Sequence, residues 1–184
     1  TGYRNLCRIV TDAHLDGYYY KPRIDRDYLA QHAEGLIGLS ACLGGEIPKA
    51  LEVDDWESAR RLAGEYGDIF GKGSFFLELQ DHGIPEQARL NEQLLRLAPE
   101  AGLPLVVTND VHYLKQTDQH PHDVLLCIGT GKNVSDEKRL KYHGDQFFLK
   151  TAQEMAAVFG DYPEAMQNTV RIAERCNVTI ESGK

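Results

Sequence analysis

Aspartate precedes histidine by two residues three times in this chain, as Asp12-Ala13-His14, Asp110-Val111-His112 and Asp118-Gln119-His120. A carboxylate oxygen and an imidazole nitrogen aimed at one point make a pair that divalent cations accept. The composition predicts fewer than one such pair by chance, but spacing alone decides little, so the local context must choose among the three. Asp12 and His14 fall in a predicted helix, where residues two apart point about 200° apart and cannot share an ion. No strand precedes Asp118 and His120. Asp110 and His112 follow the apolar run from Leu103 to Thr108. If extended backbone continues past Thr108, the two side chains project from the same face and meet one cation. The ordinary alternative is that Asp110 caps a turn and His112 opens a helix.

Cys42 occupies a comparable place in Ser40-Ala41-Cys42-Leu43-Gly44-Gly45-Glu46, where glycines let the backbone turn sharply. It has three open readings: a small buried hydrophobe, a metal ligand, or a thiolate nucleophile with His82 or His112 as its base. His120-Pro121-His122 is read as a helix start rather than a zinc pair. Gly17-Tyr18-Tyr19-Tyr20-Lys21-Pro22-Arg23 mixes aromatic and basic residues as single-strand binding surfaces do, but such a cluster is more often core packing with a solvated rim. The sequence contains no Walker loop, GxSxG elbow or HExxH helix.

The elements that must position these residues follow from hydrophobic periodicity. Tyr3, Leu6, Cys7 and Val10 predict a helix over residues 3–15, and Asp25 caps a short second helix that ends at Gly35. Leu36 to Ser40 reads as a buried strand. The rhythm recurs with a helix from Trp56 to Ile69, a strand from Phe75 to Gln80, a helix from Pro85 to Ala101 closed by Gly102, and a strand from Leu103 to Thr108. Such alternation predicts a parallel sheet, whose ligands gather beyond the carboxyl ends of the strands. Residues 118–184 read as helical, with Val124 to Ile128, a capping box at Thr151 to Glu154, and Pro163 to Cys176 around a polar loop from Gly129 to Tyr142.

The chain has 184 residues, 42% apolar and 26% charged, which is ordinary globular composition. One domain over residues 1–184 is the simplest organisation, with strands and helices to about residue 128 and loop and helices beyond. No apolar run approaches the roughly 18 residues of a membrane span, so no membrane association and a cytoplasmic location are expected. Cys7, Cys42, Cys127 and Cys176 form no CxxC pair, and reduced thiols are expected. A formal charge of −8 has the wrong sign for a free-standing duplex-DNA binder, so any nucleic acid must be held by a metal or by another domain. The absence of an initiator methionine and the opening inside a helical pattern suggest an excerpt.

Six ordered segments carry a resemblance. They are Gly17 to Asp25, Leu39 to Ile47, Leu77 to Gly83, Thr108 to Tyr113, His122 to Ile128 and Ile172 to Asn177. Over essentially its whole length the sequence resembles the polymerase-and-histidinol-phosphatase (PHP) domain of bacterial replicative DNA polymerases, in their DNA polymerase III alpha subunit. The resemblance implies an α/β fold, part of a distorted, TIM-barrel-like β/α barrel with a helical C-terminal portion. It also implies a cluster of divalent metals, zinc or manganese, serving a 3′-to-5′ exonuclease or phosphoesterase used in proofreading. Cys42, Asp110 and His112 fall on metal-ligand positions of that family; its His-x-His motif and other early ligands would precede Thr1. Magnesium would serve a polymerase site outside this segment. The implied partners are primer–template DNA and the other replicase subunits, including the sliding clamp. The alternative is a catalytically silent module that stabilises the polymerase or docks a proofreading subunit.

Overall fold

The computed structural model describes residues 1–181 and 183. Its architecture is α/β: eight α-helices and one three-stranded parallel sheet among the described residues. In chain order the elements are α1 (Gly2–Leu15), α2 (Arg26–His32), β1 (Gly38–Leu39), α3 (Glu46–Glu52), α4 (Trp56–Phe70), β2 (Phe75–Leu79), α5 (Pro85–Ala101) and β3 (Leu105–Val107). A 3-10 turn (Gln116–Asp118) then leads into α6 (Gln119–Thr130), α7 (Ala152–Phe159) and α8 (Pro163–Arg175). β2 is the central strand, pairing with β1 through Gly38–Phe75 and Leu39–Phe76 and with β3 from Leu77–Leu105 to Leu79–Val107. No described helix is long and apolar enough to cross a membrane.

Local chemistry sets most boundaries. The Asp25 side chain accepts from the Tyr28 amide at 2.7 Å and starts α2. Thr151 and Glu154 close a reciprocal capping box on α7. Gly102 ends α5 in the left-handed conformation, donating to the Ala98 and Pro99 carbonyls, while Leu103 also donates to Ala98. That helix ending shortens the expected third strand, because Leu103 is spent on the cap and Pro104 has no N–H to donate. The first strand is likewise only two residues rather than five. Leu36 turns back onto the Ala33 carbonyl at 2.9 Å, and Ala41 adopts a φ of 63°.

α3 is absent from the sequence expectation, since its seven residues are too few to show a period. Its burial explains it: Ile47, Pro48 and Leu51 are inside. Pro48 sits in the first turn, where its missing N–H costs nothing. The main core forms between α3, α4 and α5 and the face of β2 that carries Phe75, Leu77 and Leu79, with Val107, Phe159 and Ala165 completing it. The other face of the same strands is buried and mixed, with Phe76 and Val106 beside a polar cluster. There Glu78 accepts from Thr108 and from Gln80, whose amide lies 2.9 Å away, and Ser40 Oγ accepts from the Glu78 amide at 2.9 Å. The sheet therefore has the main apolar core on one face and a hydrogen-bonded cluster near the carboxyl ends of its strands on the other, and those ends open toward Cys42 and Asp110.

Candidate metal centre

Asp110 lies three residues past β3 with a φ of 41°, so extended backbone does not continue beyond Thr108 as expected. Aspartate tolerates the left-handed region better than most residues. The turn nevertheless brings the pair together, with Asp110 Oδ1 4.0 Å from His112 Nδ1. The Asp110 backbone carbonyl is nearer, 2.6 Å from the same nitrogen. A carbonyl can only accept, so Nδ1 carries the proton and Nε2 of the neutral ring presents its lone pair. The Asp110 backbone carbonyl is thus the acceptor that fixes the ring. This is the arrangement by which metal-ligating histidines are oriented.

Nε2 faces the hydroxyl of Tyr142, which donates to it at 2.7 Å. Burial pushes the Tyr142 hydroxyl up from its ordinary pKa, and the negative charges of Asp110 and Cys42 push it further. Cys42 is half-buried. It is placed by the turn through Ala41 and by Gly45, whose amide donates to the Cys42 carbonyl at 2.8 Å. A Cβ at Gly45 would stand 2.3 Å from the Ser40 carbonyl oxygen, so only glycine allows this approach. Among the described residues, no three His, Cys, Asp or Glu side chains converge as a ready ligand set. The chain brings Asp110 and His112 within 4.0 Å of each other and, among the described residues, does not converge Cys42 with them.

A second segment braces the pair. The His112 amide donates to the Phe147 carbonyl at 2.8 Å, and Tyr113 bridges to Phe148. Asn109 sends its amide to the Gln146 and Phe148 carbonyls at 2.9 and 2.6 Å and accepts from Lys150 at 3.0 Å. Burial lowers the pKa of that ammonium. The preceding loop is tied down by Arg139, whose guanidinium grips both oxygens of Asp123 on α6 at 2.5 and 2.8 Å. Both side chains are almost fully enclosed, and the Arg139 hydrogen bonds hold the Asp123 carboxyl below its usual range. The rings of His112, Tyr113, His122, Tyr142 and Phe147 fill the space between.

The other sequence candidates go elsewhere. Asp12 accepts from Tyr28 on α2, while His14 donates to Val10 of its own helix at 2.7 Å. Asp118 caps a turn through the Lys115 amide. His120 and His122 lie in the first turn of α6, as the helix-start reading expected. His82 is buried with both nitrogens engaged, donating to the Asn109 carbonyl at 2.9 Å and accepting from Gln87 at 2.8 Å. Both nitrogens of His82 are engaged, and among the described residues no hydrogen bond joins the Cys42 thiol to His112, so the thiolate–imidazole reading has no support. Tyr18, Tyr19 and Tyr20 are exposed, which overturns core packing as the account of that cluster. The sequence reading missed Tyr142 and the Arg139–Asp123 pair. A tyrosine closing a polar run was the one available signal for the former; partners sixteen residues apart across a loop leave none for the latter.

Comparison with known proteins agrees with the resemblance. Residues 1–82 match the PHP domain model, which takes in Cys42. Over 180 residues the chain is 52% identical to DNA polymerase III subunit alpha of Treponema pallidum (strain Nichols), covering 98% of this chain and 15% of that protein. It is 44% identical over 188 residues to the Thermus aquaticus subunit, covering 100% and 15%. For the Helicobacter pylori (strain J99) subunit it is 38% over 190 residues, covering 98% and 16%. These matches take in Asp110 and His112, and the chain spans about 15% of the length of its curated relatives. Residues 1–82 therefore match the PHP domain model, in a chain that matches a segment of the DNA polymerase III alpha subunits over nearly its full length.

Proposed function

We propose that this chain is part of a bacterial replicative DNA polymerase and that Cys42, Asp110 and His112 are its contribution to a divalent-metal site for 3′-to-5′ phosphodiester hydrolysis in proofreading. The observation that carries this reading is the fixed tautomer of His112. Its Nδ1 proton is committed to the Asp110 carbonyl, with the Asp110 carboxylate 4.0 Å from the same nitrogen, which leaves Nε2 on the far side of the ring as the ligand nitrogen. A thiolate, an imidazole and a carboxylate together suit zinc, and the latter two also suit manganese. Divalent cations held there would lower the pKa of a water and neutralise charge on the scissile phosphate. The chain's own share is geometry: the left-handed turn at Asp110, the glycine-permitted turn at Cys42 and the Asn109 brace set where the donors stand.

The distorted barrel of the PHP family would supply the remaining strands and ligands. Primer–template DNA and the other replicase subunits, including the sliding clamp, are the partners of the parent polymerase, whose synthesis would use magnesium at a separate site. With a charge of −8, this segment offers donors for cations rather than a phosphate-gripping surface. In the full-length polymerase, the Asp110→Ala, His112→Ala double variant should lose metal-dependent 3′ degradation and bound metal while retaining synthesis. Unchanged exonuclease activity in that variant sinks the nuclease reading. A wild-type polymerase without stoichiometric metal would favour the silent structural or docking module instead.

A further inference from the structure

Tyr142 is not among the residues that the family match singles out, yet it makes the closest polar contact to the nitrogen on which the metal reading depends. Its hydroxyl donates to His112 Nε2 at 2.7 Å, and the two rings lie 4.4 Å apart between centroids. A metal bound at Nε2 would sit about 2.0–2.1 Å from it, along the same lone pair. One lone pair serves one partner. The hydroxyl must leave before a cation binds there.

The loop that carries Tyr142 is built to hold it in place. Arg139, three residues earlier, is clamped to Asp123 of α6, and Phe147, five residues later, accepts from the His112 amide at 2.8 Å. Tyr142 packs against His122 and Phe147, with centroids 5.4 and 5.0 Å away. The span between the two anchors contains Gly144 at a φ of 80°, a conformation that glycine adopts without strain.

We infer that Tyr142 is a cap on the His112 ligand: it occupies Nε2 in the metal-free chain and withdraws when the cation enters. This rests on the metal-site reading above and deepens it, by making loading of the site compete with an internal hydrogen bond.

The test compares full-length polymerase, stripped of metal, with its Tyr142→Phe and His112→Ala variants, titrating zinc alone against a chelator of known affinity. Phenylalanine keeps the ring packing and removes only the hydroxyl. One neutral hydrogen bond is worth roughly a two- to ten-fold change in an equilibrium constant. Tyr142→Phe should therefore bind the His112-dependent zinc about two- to ten-fold more tightly at unchanged stoichiometry. Nitrogen-15 NMR of the metal-free protein should show the Nε2 resonance of His112 shifted in the variant. An unchanged or weakened His112-dependent affinity overturns the cap while leaving the metal reading intact. Zinc binding indifferent to His112→Ala overturns both. A variant that has lost its thermal transition is replaced by Arg139→Gln, which frees the loop without touching either ring and should tighten zinc in the same direction; failure to do so also overturns the cap.

Discussion

Replacing Asn109 by alanine isolates what the brace behind the candidate site is worth. The side chain is 7% exposed and joins the segment after β3 to residues 146–150 by three hydrogen bonds. Truncation removes the amide from the Phe148 carbonyl, a buried acceptor whose loss costs about 1–3 kcal/mol. The Gln146 carbonyl keeps Lys150 Nζ at 2.6 Å, so it is not orphaned. Lys150 loses the Asn109 oxygen, a charge-assisted bond partly replaced by that same carbonyl, for about 1 kcal/mol more. The backbone contact from His82 to the Asn109 carbonyl survives the substitution. The total is about 2–4 kcal/mol, which in a chain of this size lowers the melting midpoint by roughly 5–15 °C. Equilibrium urea unfolding of wild type and variant measures it directly, as a shifted midpoint at unchanged slope. A loss below about 1 kcal/mol would refute the reasoning, because it would mean that the 146–150 segment is not held through this side chain.

Gly45→Ala places a methyl group 2.3 Å from the Ser40 carbonyl oxygen and 3.1 Å from the Pro48 ring, neither of which is a flexible side-chain end. It should cost about 1–3 kcal/mol in a thermal melt and change the rate at which Cys42 reacts with a thiol reagent; a wild-type melt refutes it. Acidification should release the Arg139 loop. Its carboxyl is held below the ordinary 3.8 by Arg139, so the stabilisation is complete above that value and is lost as pH falls through the lower folded value. Amide hydrogen exchange across residues 133–142 should quicken only below about pH 4, and a release centred near neutrality would contradict the assignment to Asp123.

The sequence by itself determined what local chemistry decides. Asp25 and Thr151 mark helix starts because their side chains satisfy amides three residues on, and Pro85 and Gly102 bracket α5 for reasons of backbone geometry. The existence of β2 was legible in the aromatic and aliphatic run after Gly73. Asp110 and His112 were legible as a pair, although the backbone that joins them is a left-handed turn and not the extended chain expected. The tertiary structure decided the rest, because those contacts cross long stretches of chain. α3 exists through burial of Ile47 and Leu51 against α4 and α5, which no seven-residue window can report. Tyr142 reaches His112 from thirty residues away, and Arg139 reaches Asp123 from sixteen. Spacing in the chain names residues that could share an ion, whereas the packing of a distant loop determines which lone pair is free to take it.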